Sequence, residues 1–247
     1  MNLPDPPIGW GADELTTFFD FARGNSFANF EHLKSEYGKL SEIDAVFEMV
    51  VKNLNHISFS ALFVFQAHSA FRGALCLLLG GQVAEAYPCL RLSLENALYG
   101  IYFFKNPKSL QIWMRRHESD EAKKKVRKEF QISGGPSSLM ETLKTSDKNL
   151  GGAFKILYEH TIDFGAHPNQ YGLRQRTRAT KVDENNINLE MNYLVRGDSP
   201  ASKIAFDCAA SVGMAVLSVF RLVYIDRFNN LGITQNMEVL KQKYFPK

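Results

Sequence analysis

Residues 60–104 constrain most of what this chain can become. They read SALFVFQAHSAFRGALCLLL, then Gly80-Gly81-Gln82, then VAEAYPCLRLSLENALYGIYFF. Each run is apolar nearly all the way round, which marks a helix buried on most sides. Two such runs joined by so short a glycine turn fold back on each other as an antiparallel pair. The expected fold is therefore mainly α: a helical bundle around a long antiparallel helix pair.

Four polar residues interrupt that apolar surface: His68 and Arg72 on the first run, Arg91 and Glu95 on the second. Each pair is spaced i, i+4, so its members share a helix face. A pivot near Gly81 sets His68 level with Glu95 and Arg72 level with Arg91. Burying ionisable groups without partners is costly, so the four are expected to meet one another or a ligand. Two readings follow. His68 and Glu95 could act as an acid–base pair while the arginines hold a small anion. The alternative is a buried polar network that fixes the register of the helix pair. Structural ion networks are common, and the second reading is the one favoured.

The flanking sequence supplies more helices. Asp13 is placed to cap a short helix that stops at Arg23-Gly24-Asn25, and Ser41 with Asp44 suggests a helix start running to about residue 55. Pro88 takes away the hydrogen bond that the Ala84 carbonyl would accept, and so bends the return helix just before Arg91. Asn106-Pro107 ends that helix and begins the next. Ser138 with Glu141 forms a capping box, and Ser199-Pro200 opens a long helix over 199–228. Between these the period changes. Residues 173–182 and 187–194 alternate every second position and read as a β-hairpin, with Ile187, Leu189, Met191 and Tyr193 as its packing face. No repeat or linker divides the chain. Residues 1–247 are read as one helical domain, with the 173–194 hairpin inserted and the 199–245 helices packed on the bundle.

Composition narrows the class. A net charge of +3 over 247 residues demands neither nucleic acid nor membrane. Cys76, Cys89 and Cys208 are scattered through apolar runs and read as reduced thiols. The opening lacks a signal-peptide pattern. Residues 59–79 and 206–225 are long apolar stretches. Charge near a membrane centre costs about 2.5–3.5 kcal/mol per residue, and these stretches hold Arg72 and Asp207, so both are read as core helices of a soluble, cytoplasmic protein.

Two further motifs carry chemistry. In HTIDFGAHPN, His160, Asp163 and His167 could share a face and bind a transition metal. Gly165 and Pro168 break that helix, so no metal is expected and the histidines are read as braces of the helix end. In LRQRTRATKV, Arg174, Arg176 and Arg178 alternate and project from one strand face, an anion-binding candidate. Pairing with Glu190 or a charge-guarded edge is the alternative. The lysines of 123–128 sit among acidic residues and read as a wet helix face. There is no glycine-rich phosphate loop, no GxSxG and no HExxH, and no cofactor is expected.

The run from Ala86 to Glu95, A-x-x-x-L-R-x-S-L-E, with His167-Pro168 downstream, resembles a family of bacterial helical proteins related to the HEPN-like class, which includes RNA-cleaving toxins and defence proteins. The resemblance covers about residues 59–173. It implies an all-α bundle, a homodimer, and Arg91, Glu95 and His167 as the family-like positions. HEPN-type ribonucleases carry an arginine four to six residues before a histidine. None of the six histidines here has one, so catalytic residues do not carry over.

The sequence thus points first to a helical scaffold or binding module with a buried polar network, holding a small anion. The alternatives are a phosphodiester-cleaving hydrolase or HEPN-like ribonuclease using His68, Glu95 and His167, and nucleic-acid binding through the arginine strand. The expected partners are a small anion and a second copy, the latter met through the apolar 199–228 helix.

Overall fold

Gly81 sets the hairpin that the rest of the bundle surrounds. The computed structural model describes residues 5–54, 59–166, 170–174, 177–181 and 186–246. Helix α3 (Phe59–Gly80) and helix α4 (Val83–Lys105) run antiparallel as expected. Gly81 stands at φ 87°, with its N–H on the Leu78 carbonyl and the Gln82 N–H on the Leu77 carbonyl. This is a Schellman close, which favours glycine at that position. Space demands glycine as well, since a Cβ there would run into the Asn25 amide and the Val195 carbonyl. Between the two helices, the buried Ser93 hydroxyl donates to the Ala67 carbonyl at 2.8 Å and pins the register. At the open end, Phe59, Phe63, Tyr99, Phe103 and Trp113 pack ring against ring.

Helix α1 (Glu14–His32) begins where expected, with Asp13 accepting from the Thr16 N–H at 2.8 Å, but it continues through Gly24. Asn25 and Asn29 explain the difference. Their amides donate to the carbonyls of Gly80, Val195 and Leu79, so residues that look like a helix stop are tertiary hydrogen-bond donors. Helix α2 (Lys34–Lys52) starts seven residues before the expected Ser41 cap, placing Ser41 and Asp44 inside it.

Beyond α4 come α5 (Ser109–Met114), α6 (Asp120–Glu129), α7 (Leu139–Ser146) and α8 (Lys148–Thr161). Ser138 caps α7 as expected, and Asp147 caps α8. A π-turn (Ile162–Ala166) follows, then the short α9 (Gln170–Arg174). Strands β1 (Thr177–Lys181) and β2 (Ile187–Met191) pair antiparallel, with Arg178 opposite Glu190 and Ala179 opposite Leu189. The fold class is thus mainly α with one small β-hairpin among the described residues.

Helix α10 (Pro200–Val223) is capped by Ser199 and carries its proline in the first turn. It is the central core helix, packing on α2, α3, α4 and α8. By length and composition, α3 and α10 could each cross a membrane, but 72% of the most apolar window of α10 is buried inside the chain. That burial also removes α10 as the expected dimer face: its apolar excess is already covered. The helix ends at Tyr224, and α11 (Ile225–Asn230) and α12 (Ile233–Tyr244) follow, the latter packing on α2.

Candidate functional site

The expected four-residue site separates into two clusters on different sides of the helix pair. The two pairs lie at matching heights: Phe63 stacks on Tyr99 and Gly73 lies against Cys89, contacts that keep His68 near the height of Glu95. Their directions differ. His68 and Arg72 face α2, whereas Arg91 and Glu95 face α8.

In the α2–α3 cluster, His68 Nε2 meets Asp44 Oδ1 at 2.7 Å. The His68 ring, 5% exposed, lies flat on Phe47 with centroids 5.0 Å apart. Arg72 grips the same carboxylate in two places, Nε to Oδ1 and Nη2 to Oδ2, both at 2.8 Å. It also donates to Glu48, which Lys52 engages from the other side. Burial works against charge on Asp44, but the hydrogen bonds from His68 and Arg72 outweigh it and hold the carboxyl well below the usual carboxylate range. The Asp44 hydrogen bond is in turn the main force raising the Arg72 value.

In the α4–α8 cluster, Arg91 Nε donates to Glu95 Oε1 at 2.8 Å and the Tyr158 hydroxyl donates to the same oxygen at 2.9 Å. The Arg91 guanidinium lies 5.0 Å from the Tyr158 ring centroid, within cation–π range. Burial, and then the Glu95 charge, push the Tyr158 phenol well above its ordinary value.

The same face of α4 carries Ala84, Tyr87 and Pro88 one to two turns earlier. Proline leaves the Ala84 carbonyl without its helical donor, and Gly165 of the π-turn packs directly on that carbonyl. A Cβ at Gly165 would collide with it. Beside this joint, His160 stacks on Phe164 with centroids 4.2 Å apart, and burial lowers its basicity. Tyr87 is fully buried, and burial with the nearby Cys208 raises its phenol strongly. The Cys208 thiol is itself pushed up to about 12 by burial, so it is an inert core thiol.

Of the other candidates, His167 and Arg176 lie outside the described residues. Arg174 is the last residue of α9 rather than part of a strand, so Arg174 and Arg178 do not alternate along one strand as expected. Among the described residues, no three His, Cys, Asp or Glu side chains come together as a metal group. Sequence reading missed Asp44, Glu48 and Tyr158. The first two were detectable: Asp44 and Glu48 repeat the i, i+4 spacing of His68 and Arg72 with opposite charge.

Comparison with known proteins finds no matching family model, no matching curated protein and no matching solved structure. The HEPN-like resemblance therefore rests on its sequence motifs alone.

Proposed function

We propose that this chain is a soluble, cytoplasmic helical scaffold or binding module whose two polar clusters lock neighbouring helices instead of carrying out chemistry. The observation that carries this reading is the state of Asp44, with His68 and Arg72 engaging its carboxylate oxygens. A general base needs a pKa near the working pH; the hydrogen bonds from His68 and Arg72 hold Asp44 far below it. The hydrolase reading asks His68 and Glu95 to act together, and they point to different helices.

The test is a thermal melt of wild type, Asp44→Asn and Glu95→Gln, each with and without a panel of phosphate-containing compounds. Both variants are expected to melt below wild type, with no compound stabilising wild type selectively. An unchanged or raised melting temperature, together with a compound that stabilises wild type alone, would overturn the structural role.

Small-anion binding is supported at a different place from the one expected. A cleft of about 610 Å³ is lined by Lys125, Lys128, Gly135, Ser137 and Ser138, with Glu129 also at its wall. Titration calorimetry with pyrophosphate is expected to show weak binding that Lys125→Ala with Lys128→Ala removes. Binding that survives the double substitution would exclude the cleft.

A further inference from the structure

Two apolar surfaces are left bare, and their chemistry matches. Leu15, Phe19, Ala22 and Ser26 fall at i, i+4, i+7 and i+11, one continuous stripe of α1. Its lower half is seated: Ala22 and Ser26 lie against Gly80. Its upper half overhangs the bundle, leaving Leu15 61% and Phe19 45% exposed, with Trp10 stacked on Phe19 and Phe21 66% exposed nearby. A packing stripe that continues past the body it packs on has a face without a cover.

The hairpin shows the complementary state. Ile187, Leu189 and Met191 alternate on one face of β2, opposite Lys181, Ala179 and Thr177, and Tyr193 continues the series. This is the packing face expected from the sequence, yet the four residues are 55–68% exposed and every residue of β2 faces solvent. A lone two-stranded hairpin is marginal in water, and an alternating apolar face normally lies on something. Leu194, just beyond it, lines a cleft with Phe21 and Ala28, so the hairpin base and α1 form one continuous surface.

We infer that this surface is an interface between two copies of the chain, with the apolar face of one copy's hairpin lying on the overhanging half of the other copy's α1. Size supports the match. Leu15, Phe19, Trp10 and the four hairpin residues offer roughly 100 Å² each, on the order of 700 Å², close to the ~800 Å² each partner gives to a standard interface. A two-fold dimer uses both patches twice, arm to helix and helix to arm.

The inference rests on the hairpin and α1, not on the polar clusters, so failure of either reading leaves the other standing. Light scattering on the eluting full chain gives the test. Wild type is expected at twice the 28.0 kDa chain mass, while Leu189→Asp and Phe19→Asp each elute as monomers with unchanged helical circular dichroism. Mixing the two variants should restore a one-to-one dimer, because the intact arm of one still meets the intact helix of the other. Should either variant lose helicity, Met191→Asp and Leu15→Asp replace them. A monomeric wild type at every concentration, including one that instead binds lipid vesicles, overturns the inference. So does a dimer that survives both substitutions, or a mixture that stays monomeric.

Discussion

In the α2–α3 cluster the acceptor and the donors come from different helices, whereas in the α4–α8 cluster Arg91 and Glu95 stand on the same helix and only Tyr158 comes from outside. Both use an arginine and an i, i+4 pair. The physical consequence differs. An ion pair within one helix contributes only about 0.3–0.5 kcal/mol when solvent reaches it. A carboxylate gripped in two places from a neighbouring helix ties two elements together, and its loss leaves a buried imidazole without its partner. Identical spacing in sequence therefore gives a cross-helix clamp in one place and a helix-surface pair with one outside tether in the other.

The largest expected effect tests the clamp. Asp44→Ala removes the acceptor shared by His68 and Arg72. It should cost about 3 kcal/mol, the low end for a broken buried pair because Arg72 is half exposed. For a chain of this size that is a fall of roughly 6–12 °C in melting temperature. A loss no larger than that of an exposed ion pair would erase the distinction between the clusters.

Gly165→Ala comes next, and probes the α4 side. The backbone at Gly165 is extended, so the effect is steric: the new methyl meets the Ala84 carbonyl. Overpacking of this kind costs about 1–3 kcal/mol, read by denaturant unfolding. Neutrality would mean that the π-turn yields freely. Tyr158→Phe is smaller. It removes one hydroxyl donor to Glu95 and should cost about 1 kcal/mol, while Arg91 keeps the carboxylate paired. A cost equal to that of Asp44→Ala would make this cluster a clamp too.

Acidity gives the smallest signal and the sharpest sign. The folded-state value of Asp44 is depressed, so its contribution is complete above the unfolded carboxylate value of about 3.9 and is lost as pH falls below it. The stability gap between wild type and Asp44→Asn should stay level near neutrality and close on acidification. A gap that widens at low pH would reverse the assignment.

Parts of this fold were legible because they rest on local physics. The caps at Asp13, Ser138 and Ser199 are hydrogen bonds spanning three residues. The helix pair and its glycine turn follow from all-round apolarity and from one conformation that glycine adopts cheaply. The misreadings have one cause. Asn25 looked like a stop because its partners are 55 and 170 residues away. Asp44 looked like a cap because nothing near it in sequence shows that His68 and Arg72 are its partners. The 199–228 helix looked like a dimer face because an apolar surface reads the same whether the cover is the same chain or another.

By itself, then, the sequence determined that two long helices fold back at Gly81, where three of the helices are capped, and which polar side chains needed partners. Helical spacing fixes height along an axis and which residues share a face. Only the tertiary structure decided which neighbour each face meets, because the rotation of a helix about its axis is set by the side chains of every helix packed around it.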